Sequence, residues 1–369
     1  MNKFLWVACL TASLGTAAAW AQDAADSNLR RAFAAMPADT LSPTSANLAW
    51  FYDVALLSEV NGGQLDGKAF MQMQAASRLR PVAALIAAGP EAWRAKTGVD
   101  PAQLRFFSEF GAPPLAVTYW GLADEAAASR AFDVLATQGF APVEGAPETV
   151  ANGAPGQMDL TLADPKDPWR GAMGQTSAVA RAGAGLLQAA DPAVLGPAID
   201  GAHMADTPFG ATLLGALEAQ DGRVLQAAFA GPRLGLMAGV DPSLGATADP
   251  QTARDNSQAA AARLARGVPL YGGVAIADLV TADSPELIFA YAYADCRTAD
   301  MAAATAATLW PESGRGMLQG TATPSHVEVP DAGCAAVITI RGGADGRQFD
   351  RVIGALMQRD LAVIRIAPE

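Results

Sequence analysis

Apolar residues in this chain come in short runs whose spacing switches between two and three-to-four, so strands and helices should alternate. The C-terminal third shows the switch most plainly. PLYGGVAIADLV (269–280) and ELIFAYAYA (286–294) flank the turn residues TADSP, which predicts a hairpin. An Ala-rich helix follows over 298–310, then strands at 325–329 and 334–341, a helix over 346–358 and a last strand over 361–367. The order ββαββαβ is that of an α+β fold with antiparallel sheets and helices packed on one face.

The same reading extends toward the N-terminus. Residues 22–45 are polar, carry Pro37 and Pro43, and read as a lead-in. ANLAWFYDVALL (46–57) should be a buried strand running into a short helix, and residues 68–88 carry helical spacing. Asp100-Pro101 has the form of an N-cap followed by proline at the first helical position, which predicts a helix over AQLRFF. Next come a strand (115–121), a helix (124–138) closed by Gly139, and short strands at 140–144, 156–162, 176–182 and 185–190. Asp191-Pro192 and Thr207-Pro208 each open a helix, and 223–231 is the next strand. Residues 241–267 are helix-prone with polar faces. A boundary there gives an α+β domain over 46–245 and a second over 246–369.

Residues 115–132 can be laid over 287–304, each an apolar strand with tyrosine at its fifth position (Tyr119, Tyr291) before an Ala-rich helix. Such an echo suits two related domains.

The first residues change the picture of where the chain works. Lys3, the apolar run Phe4 to Leu14 and the small-x-small triplet Ala19-Trp20-Ala21 have the layout of a cleaved signal peptide over residues 1–21, with a mature chain from Gln22. The apolar run is too short to span a bilayer, and no later segment is long and apolar enough. The expectation is a soluble periplasmic protein, with secretion as the second choice. The formal charge of −12 argues against nucleic acid and anionic lipid as partners.

Cleavage at residue 21 leaves two cysteines, Cys296 and Cys334, each beside an expected strand. In an oxidising compartment two such cysteines tend to pair, and a disulfide between them is expected if their strands are antiparallel neighbours.

Motifs for chemistry are sparse. Gly62, Gly67 and Lys68 in NGGQLDGKAF have phosphate-loop spacing, but Ala69 stands where a magnesium-binding hydroxyl belongs and Asp66 would put negative charge in the cradle; the stretch reads as a turn capping a helix. The glycine clusters RAGAG (181–185) and RGGADG (341–346) do not follow the dinucleotide fingerprint. There are two histidines. His326 shares a strand face with Glu328, and His203 lies near Asp200 and Asp206; either set would need a partner from elsewhere to hold a metal. Asp278 is an acid within an apolar strand. Trp169 and Trp310 sit near loops, either as exposed contact residues or as packing for those loops.

The segment 97–140, with its short helix, Gly-x-Pro-Pro turn, strand and Gly-terminated helix, resembles a stretch of some bacterial exported proteins of unknown function. ARAGAGLLQAADPAVLGPAIDG (180–201) is similar to another of their segments. The resemblance implies a non-catalytic α+β domain and transfers no catalytic residue. The expectation is therefore a binding or interaction protein with no cofactor, no metal and no catalytic residues, whose partner is an envelope protein or a small ligand. The alternative is an envelope hydrolase whose site assembles only in the fold. A cleft joining His326 and Asp278 would favour the hydrolase, and an exposed apolar patch without such convergence would favour binding.

Overall fold

The computed structural model describes residues 27–45, 47–238, 268–282, 284–311, 319–342, 347–358 and 360–364, with 249, 251, 252, 254, 255, 258 and 366. The expected signal peptide, 1–21, and most of 241–267 lie outside the described residues.

Alternating apolar positions build one antiparallel sheet of twelve described strands. They are β1 (Leu48–Asp53), β2 (Leu104–Phe110), β3 (Val117–Leu122), β4 (Ala141–Pro142), β5 (Thr149–Ala151), β6 (Ala178–Arg181), β7 (Gly185–Ala189), β8 (Arg223–Ala230), β9 (Gly273–Val280), β10 (Glu286–Tyr293), β11 (Thr321–Val329) and β12 (Gly333–Arg341). Their spatial order is β11-β12-β10-β9-β8-β1-β2-β3-β7-β6-β5-β4. At the centre β1 pairs with β8, Trp50 opposite Ala228 and Tyr52 opposite Gln226.

The α+β class and the antiparallel pairing are as the sequence suggests. The helices, however, cover both faces. One face, carrying Trp50, Tyr52, Trp120, Ile276, Phe289, Tyr291 and Ile338, packs under α2 (Val54–Val60), α3 (Gly67–Phe70), α4 (Arg80–Thr97), α5 (Glu125–Leu135), α9 (Cys296–Leu309) and α10 (Gln348–Met357). The other, carrying Phe51, Phe106, Phe229, Ala277 and Val337, packs under α1 (Asn28–Ala35), α6 (Leu195–Asp200) and α7 (Pro208–Glu218). The central strands are apolar on both sides; β3 is buried at every residue. Such strands need cover on each face, since leaving either bare forfeits roughly 25 cal/mol per Å² of apolar surface. A short α8 (Pro232–Ala238) follows β8. No described helix is long and apolar enough to cross a membrane.

Three expectations are corrected. The lead-in is part of the core: α1 buries Leu29, Ala32 and Phe33, and Phe33 meets Phe229 edge-on at 4.8 Å between centroids. AQLRFF is not a helix. Asp100 does cap, accepting from the Ala102 N–H at 3.0 Å, but one 3₁₀ turn over Pro101–Gln103 leads directly into β2. The run LRFFSEF is aromatic, and the slot between β1 and β3 overrides a local start signal. Residues 361–364 form a 3₁₀ turn, Leu361–Ile364, instead of a strand.

Outward from the β1–β8 pair the order reads β1-β2-β3-β7-β6 one way and β8-β9-β10-β12-β11 the other. Each half places a helix after its third strand, α5 or α9. Each helix is capped by an aspartate, Asp124 to the Ala127 N–H at 2.7 Å and Asp295 to the Thr298 N–H at 2.9 Å. Aligning the two caps shifts the sequence echo by one residue and sets Trp120 over Tyr291. The sequence overlay pairs Tyr119 with Tyr291, yet these face opposite cores. A one-residue slip exchanges the faces of a strand, so the caps give the true register.

Candidate functional site

Residues 152–177, between β5 and β6, form a long loop fixed from beneath. Trp169 drives it inward. Its indole stacks on Trp120 at 4.8 Å, Trp120 stacks on Trp93 at 5.6 Å, and Phe140 meets Trp169 edge-on at 5.7 Å. Trp169 Nε1 donates to the Lys96 carbonyl at 3.2 Å. Trp169 is 1% exposed and Trp310 is also buried, edge-on to Phe289, so neither is an exposed contact residue. Large aromatic area next to a loop finds more burial than the surface offers.

Arg80, at the start of α4, ties the loop from the side. Its guanidinium donates to the Trp169 carbonyl (2.7 Å), Ser177 Oγ (2.9 Å) and Gln175 Oε1 (2.6 Å). These acceptors are all neutral, and burial lowers the Arg80 pKa, with Asp167 and Glu109 opposing that shift. Gln188 extends the network, taking the Trp120 Nε1 proton at 3.1 Å and donating to the Pro168 carbonyl and Ser177 Oγ at 2.9 Å each. Arg170 donates to the Asn152 carbonyl at 2.7 Å.

The loop's two limbs run side by side, the Asp159 N–H on the Gly174 carbonyl (3.1 Å) and the Asp164 N–H on the Gly171 carbonyl (3.0 Å). Gly174 has φ 59°, and a Cβ there would lie 1.9 Å from the Asp159 carbonyl oxygen, so glycine alone permits this approach. The expected strand over 156–162 is accordingly a bridge at Met158 and a 3₁₀ turn at Leu160–Leu162. This framework holds four large apolar side chains in solvent: Met158 (59% exposed), Leu160 (69%), Leu162 (46%) and Met173 (55%). Four such side chains on one braced loop are a candidate contact surface whose backbone is already ordered. In the sequence, the alternation of Met158, Leu160 and Leu162 looked like a strand, and only their exposure marks them as a surface.

Asp278 and His326 do not converge. Asp278 is buried on β9, where it accepts from Gln226 Nε2 at 3.1 Å; Gln226 Nε2 also reaches the Gln72 carbonyl at 3.1 Å. Burial pushes the Asp278 pKa up to about 7, and the charge of Asp350 on α10 adds to the rise. Asp350 is itself raised to about 6, by burial. Gln226 Oε1 and Asp350 Oδ1 are buried with no hydrogen-bond partner among the described residues. His326 stands on β11, and β12 and β10 lie between it and Asp278. His326 is exposed, its Nδ1 2.5 Å from Asp300 Oδ1 on α9. His203 forms a bridge with Pro37.

Cys296 and Cys334 are joined in a disulfide, their Cα atoms 5.0 Å apart. Cys334 pairs directly with Tyr293 across β10–β12, and Cys296 begins α9 three residues after Tyr293. The end of one strand thus meets the start of the other, as the sequence suggested. Asp66 caps α3 through the Ala69 N–H at 2.9 Å, so NGGQLDGKAF is a helix start.

No family model, no curated protein and no solved structure matches the chain.

Proposed function

We propose that this is a soluble, exported protein of the periplasm that acts by binding an envelope protein, with Met158, Leu160, Leu162 and Met173 as its contact surface. The observation that carries the reading is the exposure of these four side chains on a loop braced by Arg80, Trp169 and Gly174. Methionine and leucine adapt to an apolar partner face, and the braced backbone spares association the cost of ordering the loop. The separation of Asp278 from His326, with β12 and β10 between them, supports binding over a hydrolase built on that pair. The disulfide suits an oxidising compartment.

The test is capture from a native envelope extract by the mature chain and by a variant with all four residues changed to serine. A single partner retained by the parent and lost by the variant, with unchanged circular dichroism, is the expected outcome. Equal capture by both proteins, or turnover of an envelope polymer by the parent, refutes the reading.

A further inference from the structure

The disulfide does not stand alone. An imidazole nitrogen of His326 and the sulfurs of Cys296 and Cys334 all lie within 4.8 Å of one another. His326 pairs with Ala336 on β12, two residues beyond Cys334, so the imidazole and the Cys334 sulfur share a face of the sheet. Asp300, one turn into α9, holds Nδ1 of that imidazole. A carboxylate on one ring nitrogen fixes the tautomer and leaves the other nitrogen as a lone-pair donor, the arrangement common behind metal-bound histidine. Cys296 is the first residue of a fourteen-residue helix, where the helix N-terminus favours a thiolate. Cys296 and Cys334 border an open groove of about 370 Å³ that Asp295, Glu328 and Asp331 also line. Glu328 pairs directly with Cys334.

We propose that Cys296, Cys334 and His326 form a redox-gated site for a thiophilic d¹⁰ cation, Zn(II) or Cu(I), closed by the disulfide and opened by its reduction. An external dithiol supplies two electrons and two protons, the Sγ–Sγ bond breaks, and the dithiol closes to its own disulfide. The cation then displaces both thiol protons to water and forms two metal–sulfur bonds, while His326 adds a neutral nitrogen. Metal–sulfur bonds of about 2.3 Å and metal–nitrogen bonds of about 2.0 Å need ligand atoms roughly 3.5 Å apart in a tetrahedral site. The 4.8 Å limit therefore asks the imidazole to close by up to about 1.3 Å, while the two sulfurs part once their bond is broken. Glu328 or a water from the groove completes the set. For closure an external disulfide takes two electrons from the thiolates and two protons from water, becoming a dithiol, while the Sγ–Sγ bond reforms and the cation is released.

The experiment uses the full chain, reduced with a phosphine and freed of reductant without air. Cd(II) serves as the spectroscopic probe and Zn(II) is titrated against a chromophoric chelator. The reduced protein is expected to show a thiolate-to-cadmium band saturating at one equivalent, and the oxidised protein none. His326→Ala and Asp300→Asn should each weaken zinc binding roughly 10–100-fold, while the oxidised variants keep the parent's circular dichroism. A reduced chain that unfolds without metal and refolds with one equivalent supports the same site. A reduced chain that gives no band with both thiols titratable overturns the proposal, and so does His326→Ala binding as tightly as the parent.

Discussion

Asp278→Asn should abolish most of a pH dependence that runs opposite to ordinary acid denaturation. In the folded chain burial pushes the Asp278 pKa from its ordinary 3.8 up to about 7, and the charge of Asp350 adds to the rise. A carboxyl raised on folding binds its proton more tightly in the native state. Its stabilising contribution is complete below about pH 4 and is lost as pH rises toward and through 7. The shift of about three pK units, at about 1.4 kcal/mol each, caps the loss near 4 kcal/mol; relaxation and partial hydration bring the working figure to about 2–4 kcal/mol. Asparagine keeps the acceptor for Gln226 Nε2, offers a donor to the unpaired Gln226 Oε1, and carries no charge at any pH. Urea unfolding followed by tryptophan fluorescence between pH 4 and 8 measures the effect. Other acids contribute their own slopes, so the informative quantity is the variant's stability minus the parent's. It should be near zero at pH 4 and grow to about 2–4 kcal/mol in favour of the variant at pH 8. A difference that stays flat across that range, or that falls with rising pH, refutes the buried neutral acid.

Arg80→Met removes three charge-assisted hydrogen bonds while keeping most of the apolar stem, and should cost about 1–3 kcal/mol by leaving Gln175 Oε1 unpaired and the Trp169 carbonyl with Ser177 Oγ as its remaining donor. Limited proteolysis within residues 152–177 should accelerate in parallel; unchanged cleavage would show that the loop does not depend on this arginine. Cys296→Ala opens a bridge between residues 38 apart in sequence, with an expected loss of about 4 kcal/mol by the loop-entropy relation. Guanidinium unfolding with and without a phosphine reads it, and the variant should respond to neither condition differently.

Much of the fold was visible in residue order. The 269–310 hairpin and helix, the strand-to-helix passage at Asp53, and the proline-started helix at Thr207-Pro208 all carry local signals strong enough to stand alone. The disulfide followed from two cysteines beside neighbouring strands. The two-sided layering did not show, because alanine lies on both faces of β8 and β12, and on β9 and β10 one face is largely alanine and the other larger apolar residues, so no polar alternation reveals which side is covered. Nor did β2, whose cap signal is real but whose pairing is long-range. The apolar loop was missed for a further reason. Met158, Leu160 and Leu162 alternate as a half-buried strand does, and only the tight contact at Gly174 with the pull of Trp169 turns them outward.

The central pairing of β1 with β8 ties the earliest described strand to one more than 160 residues later. A ribosome must therefore deliver well over half the polypeptide before β1 gains its second neighbour. Until then Trp50, Phe51 and Tyr52 present a naked, aromatic-rich hydrogen-bonding rim, the kind of surface on which nascent chains stick to one another. Fragments that end before residue 223 should inherit that hazard permanently. The intact chain escapes it by using its own later sequence as the missing neighbour.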